Sequence, residues 1–311
     1  MLQILVLGSA AGGGVPQWNC NCAICRRARL GDQRVRARTQ SSLAVRADEG
    51  PWFLLNASPD LRQQITDNPA LHPADEKKRG SPIGGVLVTN ADIDHIAGLL
   101  TLRESEPLSL YATNRVQETL SANRVFHALN PAFVQRKTFT LDLPMPLENA
   151  AGEPSGLVVE AFTVPGKVAL YLENPKAGPN FGSVPEDTIA LRVASAAEDS
   201  YFYYIPACAA FPEGLAERLR EAPLVCFDGT LWQDDEMIAT GVGAKTGKRM
   251  GHMSISGEDG TLAAFRPLRV KRKVFVHINN TNPVLIEDSP ERAIATGEGW
   301  EVAQDGMEIR L

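Results

Sequence analysis

One junction between a strand and a helix constrains the fold of this chain most. Residues 85–88, GVLV, form a short apolar run that predicts a buried strand, and residues 96–102 have the spacing of the first turns of a helix. Between these segments lie four polar side chains with ligand chemistry: Asn90, Asp92, Asp94 and His95. A helix N-cap at Asp94, without a metal, is the other interpretation of the same residues.

Two later segments follow the same pattern. Residues 224–228 predict a buried strand that ends in Asp228, and residues 273–277 predict a strand that ends in His277. Because strand ends at one edge of a sheet converge in space, we expect these side chains to approach Asp94 and His95. The pattern therefore predicts a polar site at a sheet edge in an α/β protein.

The cysteines indicate a second metal site. Cys20, Cys22 and Cys25 form a C-x-C-x-x-C motif, and three thiolates at this spacing suit Zn²⁺. A redox pair of Cys22 and Cys25 is the rival interpretation, but it leaves the third cysteine unused. We predict a structural zinc whose fourth ligand comes from a distant segment or from solvent. Cys208 and Cys226 lie in apolar surroundings and are expected in the core.

Composition excludes several classes of protein. A chain of 311 residues with 44% hydrophobic and 22% charged residues is typical of a globular protein. The net charge of -6 argues against a nucleic-acid partner, and no apolar run approaches the roughly 20 residues that span a bilayer. The closely spaced cysteines favour a reducing compartment, so we expect a cytoplasmic protein without a membrane partner.

A family resemblance sharpens these expectations. The stretch TNADIDHIAGL at residues 89–99 resembles the metallo-β-lactamase superfamily signature, His-x-His-x-Asp-His before a glycine-bearing helix. Asn90 and Asp92 replace its first two histidines, whereas Asp94 and His95 are kept. Residues 8–25, GSAAGGGVPQWNCNCAIC, narrow the resemblance to members that act in pyrroloquinoline quinone (PQQ) biosynthesis. It implies one domain over residues 1–311, of α/β (α+β) class, with the four-layer αββα sandwich fold.

The resemblance also implies which residues bind metal. The superfamily's first metal site would need a mid-chain histidine, and this chain has none between His127 and His252. The second site is complete and would use Asp94, His95, Asp228 and His277. We therefore expect a mononuclear centre with Fe(II) or Zn²⁺. In some related phosphodiesterases the cysteine zinc takes its fourth ligand three residues after the last histidine, which is Asn280 here.

Further residues are predicted around this centre. His252 is a candidate acid-base catalyst, since related phosphodiesterases carry such a histidine in a late loop; a locally hydrogen-bonded loop histidine is the alternative. Asp92 is a second catalytic candidate. Residues expected to support the ligands or to contact substrate are Asn56, Asn90 and Lys245, although Lys245 also fits a solvated loop.

The function that the resemblance implies is oxygen insertion into a tyrosine. The substrate would be a small precursor derived from a Glu-Tyr unit of a peptide, and O₂ would be the second reactant. A metal-dependent hydrolase of a peptide or ester is weakened by loss of the first metal site. A carrier for PQQ or its precursor, assisting export to the periplasm, is the third hypothesis. A homodimer is compatible with the sequence.

Overall fold

Two mixed β-sheets form the centre of the molecule, which a computed structural model describes over residues 1–178 and 180–311. The strands of the first sheet are β1 (Leu2–Gly8), β2 (Ser42–Ala47), β3 (Trp52–Leu55), β4 (Ile83–Leu87), β5 (Leu108–Ala112), β6 (Val134–Thr138) and β14 (Glu308–Arg310). Those of the second are β7 (Pro144–Glu148), β8 (Pro154–Thr163), β9 (Ile189–Ser195), β10 (Tyr201–Ile205), β11 (Val225–Asp228), β12 (Lys273–Val276) and β13 (Trp300–Val302).

The strand orders are β14-β1-β2-β3-β4-β5-β6 and β13-β12-β11-β10-β9-β8-β7. From β14 to β3 and from β7 to β10 the neighbouring strands are antiparallel. From β3 to β6 and from β10 to β13 they are parallel. The parallel strands β4, β11 and β12 are those that lead into the predicted ligands, so their carboxyl ends carry the site.

Helices cover the outer faces of both sheets. The described helices are α1 (Ala23–Arg29), α2 (Leu61–Asp67), α3 (Ile93–Ile96), α4 (Asn114–Ala122), α5 (Glu213–Leu219), α6 (Glu236–Ala239), α7 (Gly247–Met250), α8 (Thr261–Phe265) and α9 (Pro290–Gly297). None of them is long and apolar enough to cross a membrane.

Alternation along the strands explains the layers. In β1, Leu2, Ile4 and Val6 pack into the core between the sheets, whereas Leu5 and Leu7 face an outer core beneath the helices. A third cluster fills the opposite outer face, beneath α5 and α8. Helix, sheet, sheet and helix therefore stack in four layers, as predicted. Cys226 lies in the middle core and Cys208 in an outer one, which confirms their expected burial.

One predicted boundary differs in the structure. The helix expected from residue 96 is α3 followed by a 3₁₀ turn at Ala97–Leu102. The chain at Gly98 passes so close to Ser58 that no side chain fits there. Further along the chain, α4 ends at Ala122 and His127 lies in a separate 3₁₀ turn. The segment of residues 241–250 includes α7, which the Thr246 side chain caps.

Candidate metal centre

A cavity of about 340 Å³ opens at the carboxyl ends of β4, β11 and β12. The residues predicted from the sequence that line it are Asn90, Asp92, Asp94, His95, Lys245, His252 and His277. The fold therefore brings together side chains that lie far apart in the sequence, as the strand-end pattern predicted. Asn90 and His277, the most distant of them, are 187 positions apart.

Two histidines and one carboxylate converge on one side of the cavity. His277 Nε2 lies 3.0 Å from Asp94 Oδ2, and His95 Nε2 lies 3.9 Å from the same oxygen. The rings of His95 and His277 meet edge to face, with centroids 5.3 Å apart. One ligand atom from each of these three residues lies within 4.8 Å of the other two, which is close enough for a single ion to bind all three.

His95 is oriented from behind by a hydroxyl group. Its Nδ1 lies 3.4 Å from Thr89 Oγ1, and Asn56 in turn donates to that hydroxyl from Nδ2 at 3.0 Å. Asn56 adopts a left-handed backbone conformation, with φ of 64°, so that its amide reaches Thr89. The ring is buried, and its Nε2 has no hydrogen-bond partner among the described residues. A buried imidazole nitrogen left without a partner in this way is available to bind a metal ion.

Proton affinities in this cluster follow from burial and charge. Burial lowers the pKa of His95, which keeps its ring neutral and able to donate a lone pair. Burial alone would also lower the pKa of His277, but the hydrogen bond to Asp94, together with the negative charges of Asp94, Asp228 and Asp92, outweighs it and raises that pKa. Burial opposes ionisation of Asp94, yet His95 and His277 hold its pKa well below the ordinary value. The carboxylate is therefore charged, as a ligand has to be.

Asp228 is enclosed by hydrogen-bond donors. Its Oδ1 accepts from the Thr230 amide at 3.0 Å and from the Thr230 hydroxyl at 2.6 Å. Its Oδ2 accepts from the Cys208 amide at 2.9 Å and from His252 Nδ1 at 2.7 Å. Four donors fill the lone pairs of one carboxylate, so Asp228 would become a metal ligand only by releasing one of them.

Thr230 links the two histidines nearest to Asp228. Its hydroxyl lies 2.6 Å from Asp228 Oδ1 and 2.9 Å from the His277 carbonyl, and the shorter contact with the charged carboxylate takes the single proton. The oxygen then accepts from His277 Nδ1, which lies 2.9 Å away. This places one proton of His277 on Nδ1, while Nε2 carries the second proton of the imidazolium and donates it to Asp94; a bound metal ion would take the place of that second proton. In the same way, His252 carries its proton on Nδ1 towards Asp228. The rings of His252 and His277 stack 5.1 Å apart. His277 is held in this position by a left-handed backbone conformation, with φ of 55°.

Asn90 and Asp92, which replace the two histidines of the superfamily's first metal site, make other contacts in this structure. Asn90 Oδ1 accepts from the backbone amide of Asp92 at 2.9 Å, so its oxygen is already engaged. The ammonium group of Lys167 lies 3.9 Å from Asp92 Oδ1. A fixed positive charge beside Asp92 opposes binding of a second cation there.

Comparisons with known proteins identify the family. A model of the β-lactamase superfamily domain matches residues 51–278. The chain is 51% identical to coenzyme PQQ synthesis protein B of Gluconacetobacter diazotrophicus over 99% of both chains. It is 52% identical to the protein of that name from Xanthomonas oryzae pv. oryzae over the full length of both. The chain belongs to the PqqB family.

Two solved structures, one of a PqqB and one of a more distant protein, have the same fold as this chain. Zn²⁺-bound PqqB from Methylobacterium extorquens superposes with a TM-score of 0.93 and is 50% identical, over 99% of this chain and 100% of that one. A diphosphatase of the PhnP family superposes with a TM-score of 0.67 at 19% identity, over 99% of this chain and 96% of that one. At this low identity the likeness shows the fold alone.

The cysteine motif of this PqqB family member folds into a compact cluster. One sulfur atom from each of Cys20, Cys22 and Cys25 lies within 4.8 Å of the others. Cys25 Sγ accepts hydrogen bonds from the Gln17 amide at 3.3 Å and from Asn280 Nδ2 at 3.1 Å. Asn280 therefore does reach the cluster, although its nitrogen points at the sulfur. Rotation of the amide by half a turn would present Oδ1 instead.

Sequence reasoning missed three residues at the centre. Thr89 and Thr230 orient histidines, and Lys167 supplies a cation to the cavity. The two threonines each follow a strand that leads into the site, which is the signal that could have found them. Lys167 follows the turn after β8, where the superfamily's mid-chain histidine was expected, and no local pattern marks it.

Proposed function

We propose that this PqqB family member is a mononuclear metal-dependent oxygenase of PQQ biosynthesis. Its substrate would be a small precursor derived from a Glu-Tyr unit, and its reaction would be hydroxylation of the tyrosine ring. The observation that carries the proposal is the cluster of Asp94, His95 and His277, in which the buried Nε2 of His95 has no hydrogen-bond partner in the part of the chain that the structure describes.

Asp94, His95 and His277 would hold the metal. Two imidazoles and one carboxylate form the set that leaves open positions on Fe(II), and a bound Fe(II) would supply the redox chemistry for reaction with O₂. The Zn²⁺-bound structure of PqqB from Methylobacterium extorquens supports metal binding by this family. Asp228, predicted as a fourth ligand, remains a prediction, and its present contacts suit a second role.

That second role is to orient His252. The imidazole donates from Nδ1 to a buried carboxylate, which fixes its tautomer and leaves Nε2 as the basic atom on the cavity side. A base held in this way by a carboxylate would accept the phenolic proton of the substrate. Activation of the phenol increases electron density at the ring carbon that gains oxygen.

A single metal fits these contacts better than two. Asn90 is engaged with the backbone of Asp92, and Lys167 already places one positive charge beside that carboxylate. A two-metal hydrolase needs a second ion to clamp the attacking and leaving oxygens. The hydrolase hypothesis therefore receives no support from these positions.

Three cysteines support a second, structural ion. We propose that Cys20, Cys22 and Cys25 bind Zn²⁺ through their thiolates, since three sulfurs already converge within ligand distance of a common point. The fourth ligand would be Asn280 through its amide oxygen, a carboxylate or water. The cluster would brace the N-terminal segment against the chain that follows β12.

In the proposed reaction, one atom of O₂ is inserted into a C–H bond of the tyrosine ring and the other atom leaves as water. With a two-electron reductant such as ascorbate the product is the catechol. Without one, the ring itself loses two electrons, so that phenol and O₂ give the ortho-quinone and water.

The test is oxygen uptake by the Fe(II)-loaded protein with a Glu-Tyr dipeptide and ascorbate. We expect O₂ consumption and a product heavier by one oxygen atom, with label from ¹⁸O₂ retained in the product. Dipeptide cleavage without O₂ consumption would identify a hydrolase instead. Tight binding of the dipeptide with neither change would identify a carrier, and either result would refute the oxygenase.

A further inference from the structure

A carboxylate and an ammonium group face the same cavity, side by side, at the edge of the proposed metal centre. They belong to Asp92 and Lys167, whose nearest charged atoms are 3.9 Å apart. This separation is longer than the roughly 2.7–2.9 Å of a charge-assisted hydrogen bond. The two groups therefore attract each other without closing the gap between them, and each keeps unused hydrogen-bonding capacity.

The backbone around Asp92 is fixed from two sides. Its amide donates to Asn90 Oδ1, and the Tyr171 hydroxyl donates to the carbonyl of Ala91 at 2.9 Å. Asp92 occupies the N-cap position of α3, yet its side chain makes no capping hydrogen bond. The carboxylate therefore does not accept the hydrogen bond from a helix amide that an aspartate at the N-cap position ordinarily accepts.

Lys167 is also held in place. Its carbonyl accepts from the Thr188 hydroxyl at 3.0 Å, and its amino group donates to the Val168 carbonyl at 3.2 Å. The aliphatic stem passes over Gly251, where an added Cβ would lie only 3.1 Å from Lys167 Cγ. Gly251 has φ of 92° and ends α7 in the left-handed region, so two independent features favour glycine here. The ammonium group is thus positioned, with two of its three donors not committed to that carbonyl.

Opposite charges at this spacing select a particular ligand. A simple anion drawn to Lys167 meets the repulsion of Asp92, and a simple cation drawn to Asp92 meets that of Lys167. A zwitterion that carries both charges on one carbon satisfies both groups in antiparallel alignment. An α-amino acid has this arrangement, with its ammonium and carboxylate on the same carbon.

We propose that Asp92 and Lys167 form a subsite for the unblocked amino-acid headgroup of the substrate, with Asp92 binding the α-ammonium and Lys167 the α-carboxylate. The identity of that substrate as a tyrosine derivative rests on the proposed function, whereas the recognition of a zwitterion does not. A tyrosine inside a longer peptide, whose nitrogen and carbonyl are uncharged amides, would lack both interactions, whereas the tyrosine of a Glu-Tyr dipeptide would keep the interaction of its carboxylate with Lys167.

The experiment is a binding titration under argon with the metal-loaded protein and three probes: L-tyrosine, N-acetyl-L-tyrosine and L-tyrosinamide. Wild-type protein should bind L-tyrosine about tenfold or more tightly than either blocked form, because each loses one charged partner. Equal affinity for the three probes, or no binding of L-tyrosine at millimolar concentration, would overturn the subsite.

Two variants assign the partners. L-tyrosinamide lacks the carboxylate that Lys167 would bind, so Lys167→Met should bind L-tyrosine and L-tyrosinamide equally well and still prefer L-tyrosine over N-acetyl-L-tyrosine. N-acetyl-L-tyrosine lacks the ammonium that Asp92 would bind, so Asp92→Asn should bind L-tyrosine and N-acetyl-L-tyrosine equally well and still prefer L-tyrosine over L-tyrosinamide. The controls are Lys176→Met and Asp75→Asn, which make the same changes at exposed positions outside the cavity. If each variant weakens all three probes by one common factor, the pair merely supports the structure and the proposal is wrong.

Failure of the subsite and failure of the oxygenase are separable. Headgroup discrimination without O₂ consumption on admission of air would leave the subsite standing and refute the oxygenase. Oxidation of N-acetyl-L-tyrosine and L-tyrosine with equal KM would support the oxygenase and refute the subsite. A change in thermal stability alone would not alter the ratio of affinities, so the ratio is the decisive readout.

Discussion

The hydroxyl group of Thr230 is the most informative single target in the centre. It donates to Asp228 at 2.6 Å and accepts from His277 Nδ1 at 2.9 Å, so it holds a proton on Nδ1 and leaves Nε2 as the atom that a metal would bind. Thr230→Val removes the hydroxyl at nearly constant shape. Loss of a partner behind a ligating histidine costs about 10–100-fold in metal affinity, or roughly 1.4–2.8 kcal/mol. Thr230→Ser keeps the hydroxyl and should bind metal as the wild type does.

The assay is competition for Zn²⁺ with a chromophoric chelator, in protein whose cysteine motif has been replaced by serine. Thr119→Val is the matched control, because Thr119 is also buried and its hydroxyl donates to the Arg115 carbonyl within α4, away from the centre. The buried Nδ1–H without an acceptor should also lower the free energy of unfolding by about 1–3 kcal/mol. If Thr230→Val is folded and binds Zn²⁺ as tightly as the wild type, the tautomer argument is wrong.

Three further predictions concern separate parts of the molecule. His252→Ala should retain metal but lose turnover by about 10²–10⁴-fold, as measured by O₂ uptake and metal analysis; unchanged turnover would exclude it as the base. Replacing Cys20, Cys22 and Cys25 by serine should remove one Zn²⁺ per chain and lower the melting temperature; unchanged zinc content would refute the structural site. Burial raises the pKa of Glu236 to about 7 from its ordinary value of 4.5, so the folded state binds this proton more tightly. The free energy of unfolding should therefore fall by roughly 3 kcal/mol as pH rises through this interval, and Glu236→Gln should lack that decrease in urea titrations; equal pH dependence would contradict the assignment.

Strand ends were the part of the site that could be predicted from the sequence. A buried apolar run followed by a polar ligand-type residue marks the end of β4, β11 and β12, and the fold brings all three ends to one cavity. The layers were predictable for a related reason, since alternation in β1 assigns Leu2 and Leu5 to opposite faces. These features are local, so the alternation of apolar residues and the polar residues at strand ends reveal them.

The partners of those ligands could not be predicted in the same way. Asp228 ends its strand as a ligand would, but only the folded chain shows that four donors from Thr230, Cys208 and His252 surround it. Lys167 reaches the cavity because Gly251, 84 positions later, leaves space for its stem. Such contacts depend on the packing of distant segments, which no local pattern encodes.

Metal stoichiometry tests the mononuclear centre most directly. The protein with serine at Cys20, Cys22 and Cys25 should bind one Fe(II) or Zn²⁺ per chain in an anaerobic titration, and additional His95→Ala or His277→Ala should abolish that binding. Asp92→Ala should reduce activity with a smaller loss of metal. Two tightly bound ions per chain in the cysteine-free protein, with the second lost on replacement of Asn90 or Asp92, would contradict both the single centre and the oxygenase built on it.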